Sequence, residues 1–285
     1  MLRNFFYAII TVIRQGGIIM KCGISTSCLY PMETKESLHT LTDMGFQEFE
    51  VFFNTFREIQ SSYTLEMRKR LDDYGAVMRS VHPFTSGFES ALIFTNYHTR
   101  FLDGLEFYKQ YFEAANILGA TILVLHGQNN CGRYGGIEEA DYLEKYLALY
   151  ELGQQFGITV AQENVNGFRS ANPAFIRRMR EQLQNHCAFV FDVKQAVRAG
   201  FDPYDMCDAM GKNLIHVHIN DNAPPQDCLL PGNGTMDYPR LLRQLKQQDY
   251  HGSFIIEVYR RNFEQLEELN RSAMYLNEKL SKYFG

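Results

Sequence analysis

The sequence predicts an α/β fold of the (β/α)8 TIM-barrel class, closed as a single domain. Three observations predict it. Short runs of β-branched and aromatic residues alternate with longer segments of helical period from Met20 to the C-terminus, the signature of successive βαβ units. Eight such runs can be counted, and eight units in a chain of 285 residues match the barrel's usual size of about 250. No G-x-G-x-x-G follows the first run, which removes the main motive for reading an open, doubly wound sheet.

In chain order the strands are expected at Lys21–Ser25, Glu48–Phe52, Val77–His82, Thr121–His126, Ile158–Glu163, Ala188–Asp192, Leu214–Asn220 and Ser253–Val258. Between them, apolar residues three and four apart predict helices over Leu65–Tyr74, Phe101–Leu118, Glu138–Phe156, Pro173–Gln184, Tyr238–Gln247 and Phe263–Tyr283. Ala-Asn-Ile-Leu-Gly at 115–119 and Tyr-Glu-Leu-Gly at 150–153 read as helix ends, with glycine in the left-handed capping position. No linker or break in composition divides residues 20–285, so they form one domain.

Residues 1–19 differ from the rest. Phe5 to Ile13 is an apolar run interrupted only by Thr11, far short of the roughly 20 residues that cross a bilayer. Arg14-Gln15 stands where a signal peptide needs small residues. This segment is expected to be a dispensable extension, with Met20 as the working start. A membrane-touching helix is the minority reading.

Composition narrows the function. Apolar residues make up 45% and charged residues 21%, which excludes disorder and coiled coil. With 28 Lys and Arg against 33 Asp and Glu, the net charge is −5, the wrong sign for a nucleic-acid binder or for an acidic membrane surface. The six cysteines (Cys22, Cys28, Cys131, Cys187, Cys207, Cys228) contain no C-x-x-C pair, so a reducing cytoplasm is the expected compartment.

The informative feature is where the strands end. The fifth stops at Gln-Glu163-Asn, the sixth at Phe-Asp192, the seventh reads Ile-His216-Val-His218-Ile-Asn-Asp221, and the eighth stops at Ile-Ile-Glu257. Barrel enzymes carry their chemistry at these C-terminal ends, so the four positions converge. Any one of them, taken alone, reads as a cap on a nearby backbone amide. Together they gather three carboxylates whose charges oppose one another unless a cation neutralises them. Glu163, Asp192, His218 and Glu257 offer three oxygens and one nitrogen, a set suited to one divalent ion, Mn2+ first, with Mg2+, Co2+ or Zn2+ as alternatives. His216 shares the face of His218 and either supports the site or fills the barrel interior.

These motifs, with Phe-Asp192-Val-Lys-Gln195-Ala-Val-Arg-Ala-Gly and the Gly232-Asn-Gly234-Thr-Met-Asp237 loop, resemble the xylose-isomerase-like barrel superfamily of sugar and sugar-phosphate isomerases and epimerases. The resemblance runs from Met20 to the end. It implies that Glu163, Asp192, His218 and Glu257 ligate one metal, and that Glu163 and Glu257 are also the catalytic pair, moving protons on opposite faces of the sugar. His82 and His126, at the ends of the third and fourth strands, would contact substrate or sit near the metal. The superfamily also holds inosose dehydratases and a metal-dependent endonuclease of abasic DNA. Its members have a histidine where this chain has Gln195, a zinc ligand in the nuclease branch. That loss and the acidic charge speak against DNA cleavage, while a glutamine amide still holds a substrate hydroxyl. In proteins of this family strand-end aromatics often support dimers, so a homo-oligomer is allowed.

The implied chemistry is proton transfer. A divalent ion on the carbonyl and adjacent hydroxyl of a ketose stabilises an enediolate. Return of the proton on the other face epimerises, return to the neighbouring carbon isomerises, and loss of a β-hydroxyl dehydrates. A small sugar, polyol or sugar phosphate is the expected substrate. A lyase, including a subunit cleaving C-linked sugars, and a barrel that binds sugar without turnover are the alternatives. Phe52, Phe53, Phe84 and Tyr259 are candidate stacking surfaces, and Arg260 and Arg261 candidate anchors for a substrate phosphate or carboxylate. Lys194 is either a surface lysine or a substrate contact.

Overall fold

In the computed structural model, which describes residues 22–130 and 136–284, eight parallel strands close into a barrel in the order β1-β10-β7-β6-β5-β4-β3-β2. The staves are β1 (Cys22–Ser25), β2 (Glu48–Phe52), β3 (Val77–His82), β4 (Ile122–Leu125), β5 (Thr159–Glu163), β6 (Ala188–Asp192), β7 (Leu214–Ile219) and β10 (Ser253–Ile256). Each expected strand is present, shorter by one or two residues at several ends. The expected extension at 1–19 and Cys131 lie outside the described residues. Among the described residues no helix is long and apolar enough to cross a membrane.

The staves are parallel, so the chain crosses back between successive staves, and the helices cover the apolar outer faces of the barrel. Helices occupy Ser61–Tyr74, His98–Leu118, Glu139–Gln155, Pro173–Leu183, Tyr238–Gln247 and Glu267–Phe284, close to the expected spans. Further helices at Thr34–Asp43 and Pro203–Met210 complete the ring. The first has a weak apolar pattern, because Thr34, Ser37 and Thr42 share its buried face with Leu38 and Leu41. The second carries a legible start: Asp202 caps it, accepting from the Tyr204 N–H at 2.8 Å, with Pro203 next. Between β7 and the helix at Tyr238 lies a hairpin, β8 (Asp221–Ala223) and β9 (Gln226–Leu229), which the sequence pattern does not announce.

Gly119 ends its helix at φ +76°, as expected of a left-handed cap. Gly153 does not end one. Its helix runs on to Gln155, and Gly157, at φ +72°, makes the turn into β5. Gly153 is needed for proximity instead: a Cβ there would lie 2.7 Å from the Ile158 carbonyl oxygen and 3.0 Å from Val160 Cγ2. We therefore expect Gly153→Ala to cost about 1–3 kcal/mol through overpacking. Thermal denaturation checks this, and an unchanged midpoint would contradict so close an approach.

The outer core is apolar and continuous, from Ile24 and Phe49 through Tyr108, Phe112 and Tyr146 to Leu242 and Leu276. The barrel interior is different. A small cluster of Val124, Ala161, Ala188 and Val190 fills one end, and above it the interior turns polar, with Glu50, Ser80, His216 and His218 all fully buried. The five described cysteines are free and buried.

Candidate active site

Side chains at the C-terminal ends of the staves converge, as parallel strands closed into a barrel require. Asp192 stands in register with His218 on the neighbouring stave, and Glu163 and Glu257 end β5 and follow β10. One donor atom from each of Glu163, Asp192, His218 and Glu257 lies within 4.8 Å of all the others. His218 sits at the centre. Its Nδ1 is 3.0 Å from Glu163 Oε1, 3.3 Å from Glu257 Oε2 and 3.8 Å from Asp192 Oδ2.

Asp192 does two jobs. Its Oδ1 caps the short helix Val193–Arg198, accepting from the Lys194 N–H at 2.8 Å and more weakly from Gln195, and it also accepts from Asn220 Nδ2 at 3.1 Å. Its Oδ2 is turned to the cluster, where the Lys194 ammonium meets it and Glu257 Oε2 together. The cap thus occupies one oxygen of the carboxylate and leaves the other turned to the cluster.

Beneath this layer lies a carboxylate that strand periodicity did not single out. Glu50 Oε2 is 2.9 Å from His218 Nε2 and 3.3 Å from His216 Nε2, and accepts from Ser80 Oγ at 2.7 Å. A register shift between Phe49 and Glu50 pairs Glu50 with Ser80 on β3. Of the two roles open to His216, support of the site or filling of the interior, the structure shows it fully buried in this lower layer beside Glu50 and absent from the cleft lining, so it is not a substrate contact.

A cleft of about 350 Å3 opens above, lined by Phe52, His82, His126, Glu163, Lys194, Gln195, Glu257 and Tyr259 among others. It is at the small end of the roughly 300–1,000 Å3 range of small-molecule sites. His82 and His126 meet at 2.9 Å through their Nε2 atoms. His82 Nδ1 is 3.3 Å from the Pro83 carbonyl, so in a neutral ring its Nε2 is assigned as acceptor and His126 as donor. His126 Nε2 is also 3.0 Å from Glu163 Oε2, a close contact without hydrogen-bond geometry that leaves this buried oxygen unbonded. His82, His126 and Glu163 form a second grouping of metal-type donors that shares Glu163 with the first. Phe52 stacks on His82 at 4.2 Å between centroids, making one aromatic wall, and Tyr259 lines another. Gln195 also faces the cleft while its Oε1 accepts from the Asn166 N–H at 3.1 Å.

Other expected contacts lie elsewhere. Arg260 is turned away: its guanidinium donates to the carbonyls of Phe263 (2.7 Å) and Glu264 (3.2 Å), satisfying its own loop. Arg261 stacks over the outer side of the site on Tyr259, 4.6 Å from the ring centroid. Phe53 and Phe84 belong to the packing around Tyr111. The Gly232–Gly234 loop is tethered by Asp221, whose carboxylate accepts from the N–H groups of Gly232 (3.0 Å) and Met236 (3.0 Å).

The two cleft carboxylates are pushed in opposite directions. Burial raises Glu163, but the imidazoles of His126, His218 and His82 outweigh it and hold the carboxyl well below its ordinary range. Burial raises Glu257 too, and there the opposing charges of Lys194 and His218, themselves countered by Asp192 and Glu163, leave it above its ordinary range. His218, despite burial, is held well above its usual value by Glu50 and Glu257, while burial carries His216 down. The donor set suits a divalent cation: three carboxylates and an imidazole converge, and a buried Glu163 oxygen lacks a hydrogen bond.

Known proteins share this framework. Residues 38–279 match the family described as xylose isomerase-like TIM barrel. An uncharacterized protein of Mycobacterium leprae is 22% identical over 267 residues, covering 84% of this chain and 89% of its own. The crystal structure of 3-keto-D-glucoside 4-epimerase from E. coli superposes with a TM-score of 0.72 at 20% identity, covering 91% of this chain and 99% of that one. A D-psicose 3-epimerase from Clostridium cellulolyticum, crystallised with D-tagatose, gives 0.73 at 13% identity over 92% and 98%.

Proposed function

From the premise that this chain belongs to the xylose isomerase-like TIM barrel family, we propose that it is an isomerase or epimerase of a small keto-sugar, polyol or sugar phosphate. The observation that carries this reading is a pair of carboxylates on one small cleft with opposite proton preferences. Separated proton affinities of this kind divide a base from an acid. Glu163, kept ionised, takes the proton beside the substrate carbonyl. Glu257, whose carboxyl holds its proton more strongly, delivers one, and His126 packs against Glu163 at the wall of the cleft. Phe52 and Tyr259 supply apolar surfaces for the C–H face of a sugar, and Gln195 a hydrogen-bonding amide for a hydroxyl.

Glu163, Asp192, His218 and Glu257 would hold one divalent ion, Mn2+ being our first choice, which when bound would polarise the carbonyl and a neighbouring hydroxyl. The sugar epimerases among the structural neighbours support the substrate class. A cytoplasmic setting agrees with the free, buried thiols. Dehydration is the second reading, favoured by Glu257, a cleft carboxyl of raised proton affinity that can give its proton to a departing hydroxyl.

The test is a screen for solvent deuterium entering ketoses, keto-glycosides, ketose phosphates and inososes, followed by NMR with Mn2+, Mg2+, Co2+ or chelator present. The proposal expects exchange at a carbon next to the carbonyl in at least one substrate. Elimination products without a stable epimer would shift the reading to a lyase, and binding without any exchange would remove the enzyme.

A further inference from the structure

Among the described residues, Lys194 is the one cation inside the carboxylate cluster that the proposed chemistry does not use. It lies two residues past β6, at the start of the helix Val193–Arg198, and is only 3% exposed. Its main-chain N–H donates to Asp192 Oδ1 at 2.8 Å, and its side chain curls back so that Nζ meets Asp192 Oδ2 and Glu257 Oε2. These two oxygens are the ones facing His218 Nδ1, at 3.8 and 3.3 Å. They are therefore the oxygens a divalent ion would have to take. An ammonium with three donors and no acceptor satisfies them as a point charge, and one pair of oxygens cannot closely hold both cations. The lysine also has somewhere else to go. It lines the cleft, with Nζ 5.9 Å from the centroid of the Tyr259 ring, and its four-carbon stem is flexible.

We propose that Lys194 is a built-in counter-cation that competes with the divalent ion for Asp192 and Glu257, so that metal enters only when the lysine swings into the cleft. This rests on the reading above only in taking Asp192 and Glu257 as ion ligands. It adds that the cluster is neutralised by the chain itself, so the protein folds and persists without metal, and that metal occupancy and the position of Lys194 exclude each other. A substrate that draws the ammonium upward would thereby favour ion binding at the same site.

The experiment is calorimetric titration of Mn2+ into chelator-treated protein, comparing the unaltered chain with Lys194→Met and Lys194→Gln. A melting curve is recorded with and without Mn2+ for each. Removing one partner of a buried charge pair typically costs enough to predict binding at least about 100-fold tighter in both variants, with a larger Mn2+-induced rise in melting temperature. Equal affinity in all three chains overturns the competition and leaves the metal site standing. No binding in any of them overturns both. If neither variant folds without metal, refolding in Mn2+ should recover it, because the ion replaces the lost charge. If neither folds in any condition, the unaltered chain decides. Reductive methylation read by mass spectrometry should find Lys194 protected in chelator and reactive in saturating Mn2+, and protection that does not change overturns the proposal.

Discussion

Glu163→Gln and Glu257→Gln are each expected to lower deuterium exchange into the responsive keto-sugar by roughly 10²–10⁴-fold, the usual contribution of a positioned acid or base. Sugar binding should change far less, because both side chains keep their shape. The two variants should differ in pH profile. Glu163 is held well below its ordinary range by three imidazoles, so the unaltered enzyme shows no acid limb near the usual carboxylate pKa of 4.5. Glu257 is raised by burial, so exchange falls as the pH climbs through its elevated pKa and the acid loses its proton. That alkaline decline should vanish in Glu257→Gln and survive in Glu163→Gln. Rates measured by NMR across pH check both statements, and a full rate in either variant would remove that carboxylate from the chemistry.

The parts of this site visible in the sequence were those where a strand's apolar run breaks off at a polar residue. Glu163, Asp192, His218 and Glu257 each mark such a break, and closure of the barrel brings them together without any further information. Glu50 was not visible for a physical reason. In Glu-Phe-Glu-Val-Phe the alternation has period two, and period two alone does not say which face turns inward; the usual assignment puts carboxylates in water. The register shift beside Glu50 and its pairing with Ser80 and two histidines become evident only in three dimensions. Lys194 reads as a solvated residue at a helix start until the helix is seen to be capped by the very aspartate the lysine turns back upon. Arg260 shows the opposite error: a charge three residues after Glu257 in sequence is spent on the carbonyls of Phe263 and Glu264. The hairpin β8–β9 carries Pro224-Pro225 at its turn and only seven strand residues, so neither periodicity nor length signals it.

Glu50→Gln should be the most destabilising change in the site, although Glu50 touches no cleft. Its carboxylate is fully buried and faces Ser80, His216 and His218, so removing the charge leaves the His218 imidazolium uncompensated on one side. Breaking a buried pair in this way costs about 3–5 kcal/mol. The loss depends on pH in a definite sense. Glu50 is depressed below its ordinary 4.5, against burial, chiefly by His218, so its stabilisation is present above that value and disappears as the pH falls through the folded pKa. His218 is raised above its ordinary 6.5, against burial, chiefly by Glu50, so its stabilisation is complete below 6.5 and disappears as the pH rises through the folded pKa. Both contributions are therefore whole between about pH 4.5 and 6.5. Urea unfolding across pH should show the gap between the unaltered chain and Glu50→Gln widest in that window and narrowing on either side. A uniform gap would mean lost packing rather than a lost charge pair. Glu50 also fixes the orientation of the ring whose Nδ1 faces Glu163, Asp192 and Glu257, which makes it a positioning residue. Mn2+ affinity should accordingly drop about 10–100-fold in Glu50→Gln, as it does when the support behind a ligating histidine is removed. Glu50→Asp, which keeps the charge at a shorter reach, should recover part of the stability and less of the metal affinity, because attraction tolerates a longer distance than ring orientation does.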